Sequence, residues 1–97
     1  MEFTKEQIKA WKDTYGDVFQ YTSKDGKTCI LRSPTLAIID ACKAQSNGSS
    51  IKFDEALRKN CTLAGDPEFE NSDKHKMGLY DWINTIIVIE HGKLVKL

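Results

Sequence analysis

The chain has 97 residues, 40% of them hydrophobic and 29% charged, with 14 basic side chains balanced by 14 acidic ones. That length makes one domain with a modest core, and that composition excludes intrinsic disorder. The zero net charge argues against a protein that clamps nucleic acid by neutralising phosphates, and no run approaches the ~20 apolar residues of a membrane span.

Thr4-Lys5-Glu6-Gln7 reads as a capping box, so a first helix is predicted to run to about Tyr15. Ile8, Trp11 and Tyr15 share one face of it, Lys5, Lys9 and Lys12 turn to water, and Gly16 is a natural stop. Asp17 to Arg32 reads as a β-hairpin. Val18, Phe19 and Tyr21 precede Lys24-Asp25-Gly26-Lys27, and Thr28-Cys29-Ile30-Leu31 follows. Asp-Gly between two β-prone runs is a strong hairpin signal because both residues tolerate positive φ. A lone ribbon is marginal in water, so it must lie on helices or pair through a free edge.

Ser33-Pro34 then predicts a second helix, with Ser33 as N-cap and Pro34 at the first helical position. Leu36, Ala37, Ile39, Ala41 and Ala44 suit it to close helix contact, and Gln45 to Ser50 form a polar loop. A third helix is expected from about Lys52 to Leu63. Phe53, Ala56, Leu57 and Cys61 line its inner stripe, while Lys52, Glu55, Arg58 and Lys59 lie mostly outside. Ala64-Gly65-Asp66-Pro67 breaks it, and the acidic residues Asp66, Glu68, Glu70 and Asp73 lead through a solvated loop into the last helix.

That last helix, from about Asp73 toward Gly92, contains the most apolar run in the chain, Leu79 to Ile89. Its large residues 79, 80, 82, 83, 86, 87 and 89 cover about half the circumference, with Asp81, Asn84 and Thr85 opposite. Ile86-Ile87-Val88-Ile89 is β-branched and strand-prone, yet the apolar steps of three and four before it, with no turn signal between Gly78 and Gly92, favour helix. So broad a face must be covered by the domain itself, by a second copy or by a partner.

Candidate chemistry is sparse. Cys29, Cys42 and Cys61 cannot all pair within one chain, and Met1 to Glu6 hold no apolar leader core, so reduced thiols in a cytoplasm are expected. No C-x-x-C or H-x-x-x-H spacing points to zinc; buried cysteines and surface histidines, His75 and His91, are the simpler reading. Cys61 with His75 would need a thiolate beside a base, but Cys61 falls on the inner face of its helix. The acidic run lacks the alternation of a calcium loop. No catalytic residue, metal or cofactor is therefore predicted.

In order, the chain shows Trp11-Lys12, Tyr15-Gly16, Asp25-Gly26-Lys27, Leu31-Arg32-Ser33-Pro34, Asn60-Cys61-Thr62-Leu63 and Gly65-Asp66-Pro67-Glu68. This pattern, over most of the chain, resembles small proteins of tailed bacteriophages and prophages, including those of Bacteroides-type hosts, that look like tail assembly chaperones. The matching positions are Trp11, Tyr15, Gly16, Leu31, Arg32, Pro34, Asn60, Cys61, Gly65 and Asp66; Asn47 to Ser50 and the more apolar terminal helix depart from it. The resemblance implies a non-enzymatic assembly protein that binds a phage tape-measure protein, or another virion protein, in the cytoplasm of an infected bacterium or within the virion. A small neck or capsid component is a sibling reading. A small binding or regulatory module, such as a host-defence antagonist, is the alternative from another class, and a minor enzyme comes last.

The expected architecture is a single α+β domain over residues 1–97: a helix, a β-hairpin, then three helices packed around the C-terminal one. Trp11, Tyr15, Arg32, Tyr80, Trp82, Ile86 and Ile87 are the expected contacts for a protein partner or for self-association. Neither nucleic acid nor membrane is an expected partner.

Overall fold

The computed structural model describes residues 2–87 and 89–97. The fold is α+β, as the periodicities require. Helix α1 (Lys5–Tyr15) leads into strands β1 (Val18–Thr22) and β2 (Thr28–Arg32), followed by α2 (Leu36–Ser46) and α3 (Ser50–Cys61). Strand β3 (Thr62–Gly65), the short helix α4 (Glu68–Asn71), α5 (Asp73–Ile83) and a 3-10 turn at Asn84–Ile86 complete it. The antiparallel sheet has the order β1-β2-β3. Among the described residues no helix is long and apolar enough to cross a membrane.

The capping box forms as read: Gln7 N–H donates to Thr4 Oγ1 at 3.1 Å, and Thr4 N–H donates to the Gln7 side chain at 2.9 Å. Gly16 ends α1 with φ of 81°, its N–H returning to the Lys12 carbonyl. The hairpin also forms, but its turn differs from a two-residue Asp-Gly turn. Ser23 N–H donates to Lys27 O while Gly26 N–H donates to Ser23 O, leaving Lys24 to Gly26 as a three-residue loop. Only Gly26 takes positive φ there, at 85°, which is the position this loop class reserves for glycine.

Five local expectations are corrected. Thr35, not Ser33, caps α2, its hydroxyl accepting from Ile38 N–H at 3.2 Å. Pro34 stands just before the cap, because the Thr35 hydroxyl, two residues nearer to Leu36 than that of Ser33, reaches the free N–H groups. Leu36, Ala37, Ala41 and Ala44 face water; α2 instead packs through Ile38, Ile39, Cys42 and the buried Ser46. Arg58 is buried, at 4% exposure, rather than outside the α3 stripe. The acidic run is not wholly a loop: it winds into α4, where Phe69 is driven into the core and the Asp66 carboxylate accepts from Glu68 N–H. Finally, Thr62 to Gly65 does not merely end α3; it forms β3 on the far edge of β2.

That third strand explains the burial of β2, in which Thr28 to Leu31 are all buried. Leu31 pairs with Thr62, Ile30 with Ala64 and Cys29 with Gly65, with a bulge that leaves Leu63 extra. Gly65 is there for space: a Cβ on it would stand 2.5 Å from the Cys29 Cβ. The core gathers Cys29, Leu31, Leu57, Cys61, Phe69, Leu79, Ile83 and Ile86, with Cys42 and Ala56. Asn60 links α3 to α2 by donating to the Cys42 sulfur at 3.7 Å.

The last helix starts at Asp73 as expected but stops at Ile83. Leu79, Ile83 and Ile86 are buried, and Asp81, Asn84 and Thr85 point to water, so the helical face is right as far as Ile86. Beyond it Ile87 and Ile89 lie outside any helix. Val88 lies outside the described residues, and Ile89 to Leu97 are exposed and neither helix nor strand. The radius of gyration, 14.9 Å, exceeds the ~12.5 Å expected of a compact chain this long, and the molecule is elongated, 53 × 33 × 22 Å along its principal axes.

All three thiols are free and buried. Burial pushes the Cys29 thiol up to about 12 and the Cys61 thiol up to about 11. Both therefore stay protonated at neutral pH, and an aromatic disulfide reagent is expected to label them only as fast as the protein unfolds; rapid labelling of the native protein would contradict this packing. Gly65→Ala is expected to cost about 1–3 kcal/mol in urea denaturation, since the new methyl would meet the Cβ and Cα of Cys29 and β3 must shift away from β2. Gly92→Ala, with nothing within 4 Å of its Cβ position, should stay within about 0.5 kcal/mol.

Candidate functional site

The residues expected to bind a partner fall into two separate groups. Trp11 is half-buried, edge-on to Phe3 with ring centroids 5.7 Å apart. Tyr15, at the end of α1, lies under the Arg32 guanidinium, 4.8 Å from ring centroid to Cζ. Arg32 closes β2, and its Nε is buried with no hydrogen-bond partner. The cation–π contact thus stands in for hydrogen bonds and ties α1 to the end of the hairpin.

The second group lies at the other end of the chain. Trp82 and Ile86 form one wall of a groove of about 340 Å³, whose other wall is Phe19, Gln20, Tyr21 and Thr22 of β1. Ile86 is buried at its base, whereas Trp82 is 56% exposed. Tyr80 and Ile87 are half-buried. Trp82 is exposed because Leu79 and Ile83 of α5, with Ile86 of the 3-10 turn after it, point inward at helical spacing, and position 82 falls just off that stripe.

Sequence reasoning missed one cluster outright. His75 is not a surface imidazole; it is 7% exposed, at the start of α5. Its Nδ1 lies 2.7 Å from Ser72 Oγ, and its Nε2 lies 2.8 Å from Asp25 Oδ2 in the hairpin loop. Ser23 donates to the other oxygen of Asp25. The imidazole edge packs on Phe69, which also meets Tyr21 edge-on. Ser23 and His75 hydrogen bonds hold the Asp25 carboxyl down from 3.8 to about 2. An ionised carboxylate only accepts, so in the neutral imidazole Nε2 carries the proton and Nδ1 accepts from the Ser72 hydroxyl.

Hydroxyl, imidazole and carboxylate in line is the order that general-base activation of a nucleophile requires. A cleft of about 440 Å³ beside the cluster is lined by Tyr21, Asp25, Lys74, His75 and Gly78, but not by Ser72. A molecule in that cleft would meet the imidazole, the carboxylate and the Ser23 hydroxyl that donates to it, and would miss the Ser72 hydroxyl. The cluster fastens the tip of the hairpin to α5 across fifty residues of sequence. The signal that pointed to it was faint, an Asp-Gly loop and an i, i+3 Ser–His pair that only the fold brings together.

Among the described residues no group of three or more His, Cys, Asp or Glu side chains is placed to hold a metal ion. Comparison with protein-family profiles, with curated proteins and with solved structures gives no match.

Because the Asp25 carboxyl is lowered in the folded state, its contribution to stability is complete above pH 4. It is lost as the pH falls from 4 toward about 2. Asp25→Asn is expected to flatten that part of the stability-against-pH curve, and an NMR titration should place the wild-type carboxyl midpoint well below that of a free aspartate. A midpoint at or above 3.8 would show that the tie to Ser23 and His75 does not form.

Proposed function

We propose that this protein works by protein–protein contact, as a non-enzymatic assembly factor whose binding face includes Trp82 and the segment after Ile86. The observation that supports this reading is an exposed tryptophan on α5 followed by a run, residues 89–97, whose large apolar side chains are in water, in addition to the singly exposed Leu36, Ile51 and Met77 of the body. Trp82 is 56% exposed, Ile89 62% and Val95 63%, and Leu94 and Leu97 are fully in solvent. Each such side chain gains roughly 1.5–3 kcal/mol when buried, a gain the isolated domain forgoes and a partner would supply. An exposed tryptophan beside an apolar groove has the composition of an interface anchor.

Within this class the resemblance to tail assembly chaperones names the partner to test first. That partner is a phage tape-measure protein, met in the cytoplasm of the infected host before the tail tube closes around it. A neck or capsid component would present the same face to a virion protein. The long amphipathic helices of a tape-measure protein suit a groove with an aromatic wall, by the helix-in-groove mode of recognition.

Co-expression of the full chain with tape-measure fragments, followed by co-purification, tests this. Association is expected, and Trp82→Asp should weaken it at least tenfold while leaving the thermal unfolding midpoint within a few degrees, because the indole is more than half exposed. The reading is overturned if no tail protein associates and if phage carrying Trp82→Asp assemble normally.

A further inference from the structure

A cavity bounded by the end of α3, by β3 and by α4 encloses a cation that the fold leaves without a hydrogen-bonded partner. We propose that this cavity binds a small carboxylic acid, whose carboxylate is taken up by the Arg58 guanidinium. The site is separate from the partner face described above, since no residue lines both this cavity and the Trp82 groove.

Arg58 sits in the last turn of α3 and is 4% exposed. Its backbone is held in place there: the Thr62 N–H and hydroxyl both donate to the Arg58 carbonyl, the hydroxyl at 2.6 Å. The carbonyl end of a helix favours a cation. That carbonyl is already met by Thr62, however, and among the described residues no hydrogen bond reaches the guanidinium. A guanidinium is a permanent cation with five donors, and withdrawing one from water costs free energy unless those donors are met. Nε is buried and has no partner. Glu70 Oε1 stands 3.8 Å from Nη1, too far for a hydrogen bond, on a side chain that is 73% exposed. A pair of that kind contributes little. Glu55, one turn earlier on α3, feels the charge but is held by Lys59 at 3.3 Å. Asp66 accepts from Glu68 N–H and pairs with Lys27.

The group this arrangement lacks is an oxyanion. A planar carboxylate matches two parallel N–H groups of a guanidinium. It reaches them by displacing only the Glu70 carboxylate, which loses little on returning to water. The cavity holds about 330 Å³, the small end of the ~300–1,000 Å³ typical of ligand pockets, which fits a small molecule. Leu63, Pro67 and Phe69 also line it and suit a hydrocarbon body behind the acid group. Lys59, on the same wall as Arg58, offsets the charge of Asp66 opposite.

The test titrates sodium benzoate into the isotope-labelled full-length chain at neutral pH and constant ionic strength, followed by NMR. Saturable amide shifts are expected at Arg58, Lys59 and Thr62 to Gly65, with a dissociation constant below roughly 5 mM. Glu70→Gln removes the competing acid and should tighten binding about twofold to fivefold. Arg58→Met should weaken it at least tenfold, where tenfold is roughly the loss of one charge-assisted contact. The same variant should keep its thermal midpoint within about three degrees, because an apolar chain replaces a buried cation that has no hydrogen bonds. A guanidinium kept only to pair with Glu70 would behave differently: Glu70→Gln would lower the midpoint and benzoate would bind no tighter, which overturns the proposal. Shifts that do not saturate, shifts that sodium chloride reproduces, or binding of inorganic phosphate in place of benzoate would overturn it as well. If Arg58→Met does not fold, the Glu70→Gln titration decides alone, and an unchanged affinity there counts against the site.

Discussion

The close approach of β3 to β2 decides the rest of this structure. Gly65 stands so near Cys29 that there is no room for a methyl group between them. At that spacing β3 covers the second edge of β2, and four consecutive residues of β2 are withdrawn from water. Only then can Leu57 and Cys61 from α3 and Leu79 and Ile83 from α5 meet Cys29 and Leu31 in one continuous core. A ribbon of two strands would have left β2 with an open edge and the helices with half a surface to pack on.

Around that core the domain is fastened at its periphery by polar contacts of different kinds. Arg32 over Tyr15 holds α1 to the hairpin, and Asn60 on the Cys42 sulfur holds α3 to α2. Asp25 with His75 holds the hairpin loop to α5. No comparable fastening reaches the chain after Ile86 among the described residues. The body is tied from several sides, and one end is left with apolar side chains and little to pack them on. That contrast, more than any single residue, supports a reading in which the loose end is completed by another protein chain.

Much of the body was legible from residue types. The capping box at Thr4, the stop at Gly16, the Asp-Gly hairpin and the inner stripe Phe53, Ala56, Leu57 and Cys61 are local patterns with local causes, and each takes its expected place. The failures share a cause too. β3 is four residues following directly on a helix, too short for a period to show, and it exists because β2 offers an edge. Arg58 looked like a surface residue because burial of a guanidinium depends on what folds over it. His75 and Asp25 are strangers in sequence and partners only in space. The last helix was read too long because Leu79, Ile83 and Ile86 keep helical spacing, while no capping residue in the sequence marks the stop and Ile89 is left exposed. Of the expected contact residues, Trp82 and Ile86 share one groove, Tyr15 and Arg32 meet elsewhere, and Trp11 rests on Phe3.

The arrangement of the sheet also bears on how the chain reaches its native state. β1 and β2 are neighbours in sequence and zip across a short loop, and α2 and α3 are joined by a tight link at Asn47 and Gly48. Both pairings close small loops and incur little entropy loss. β3 meets β2 only after the whole α2–α3 pair has been laid down between them, and the Asp25–His75 bond closes a longer loop still. The non-local pairings, not the helices, therefore set the pace of folding. During synthesis the hairpin waits with one edge unpaired until α3 has emerged and turned back.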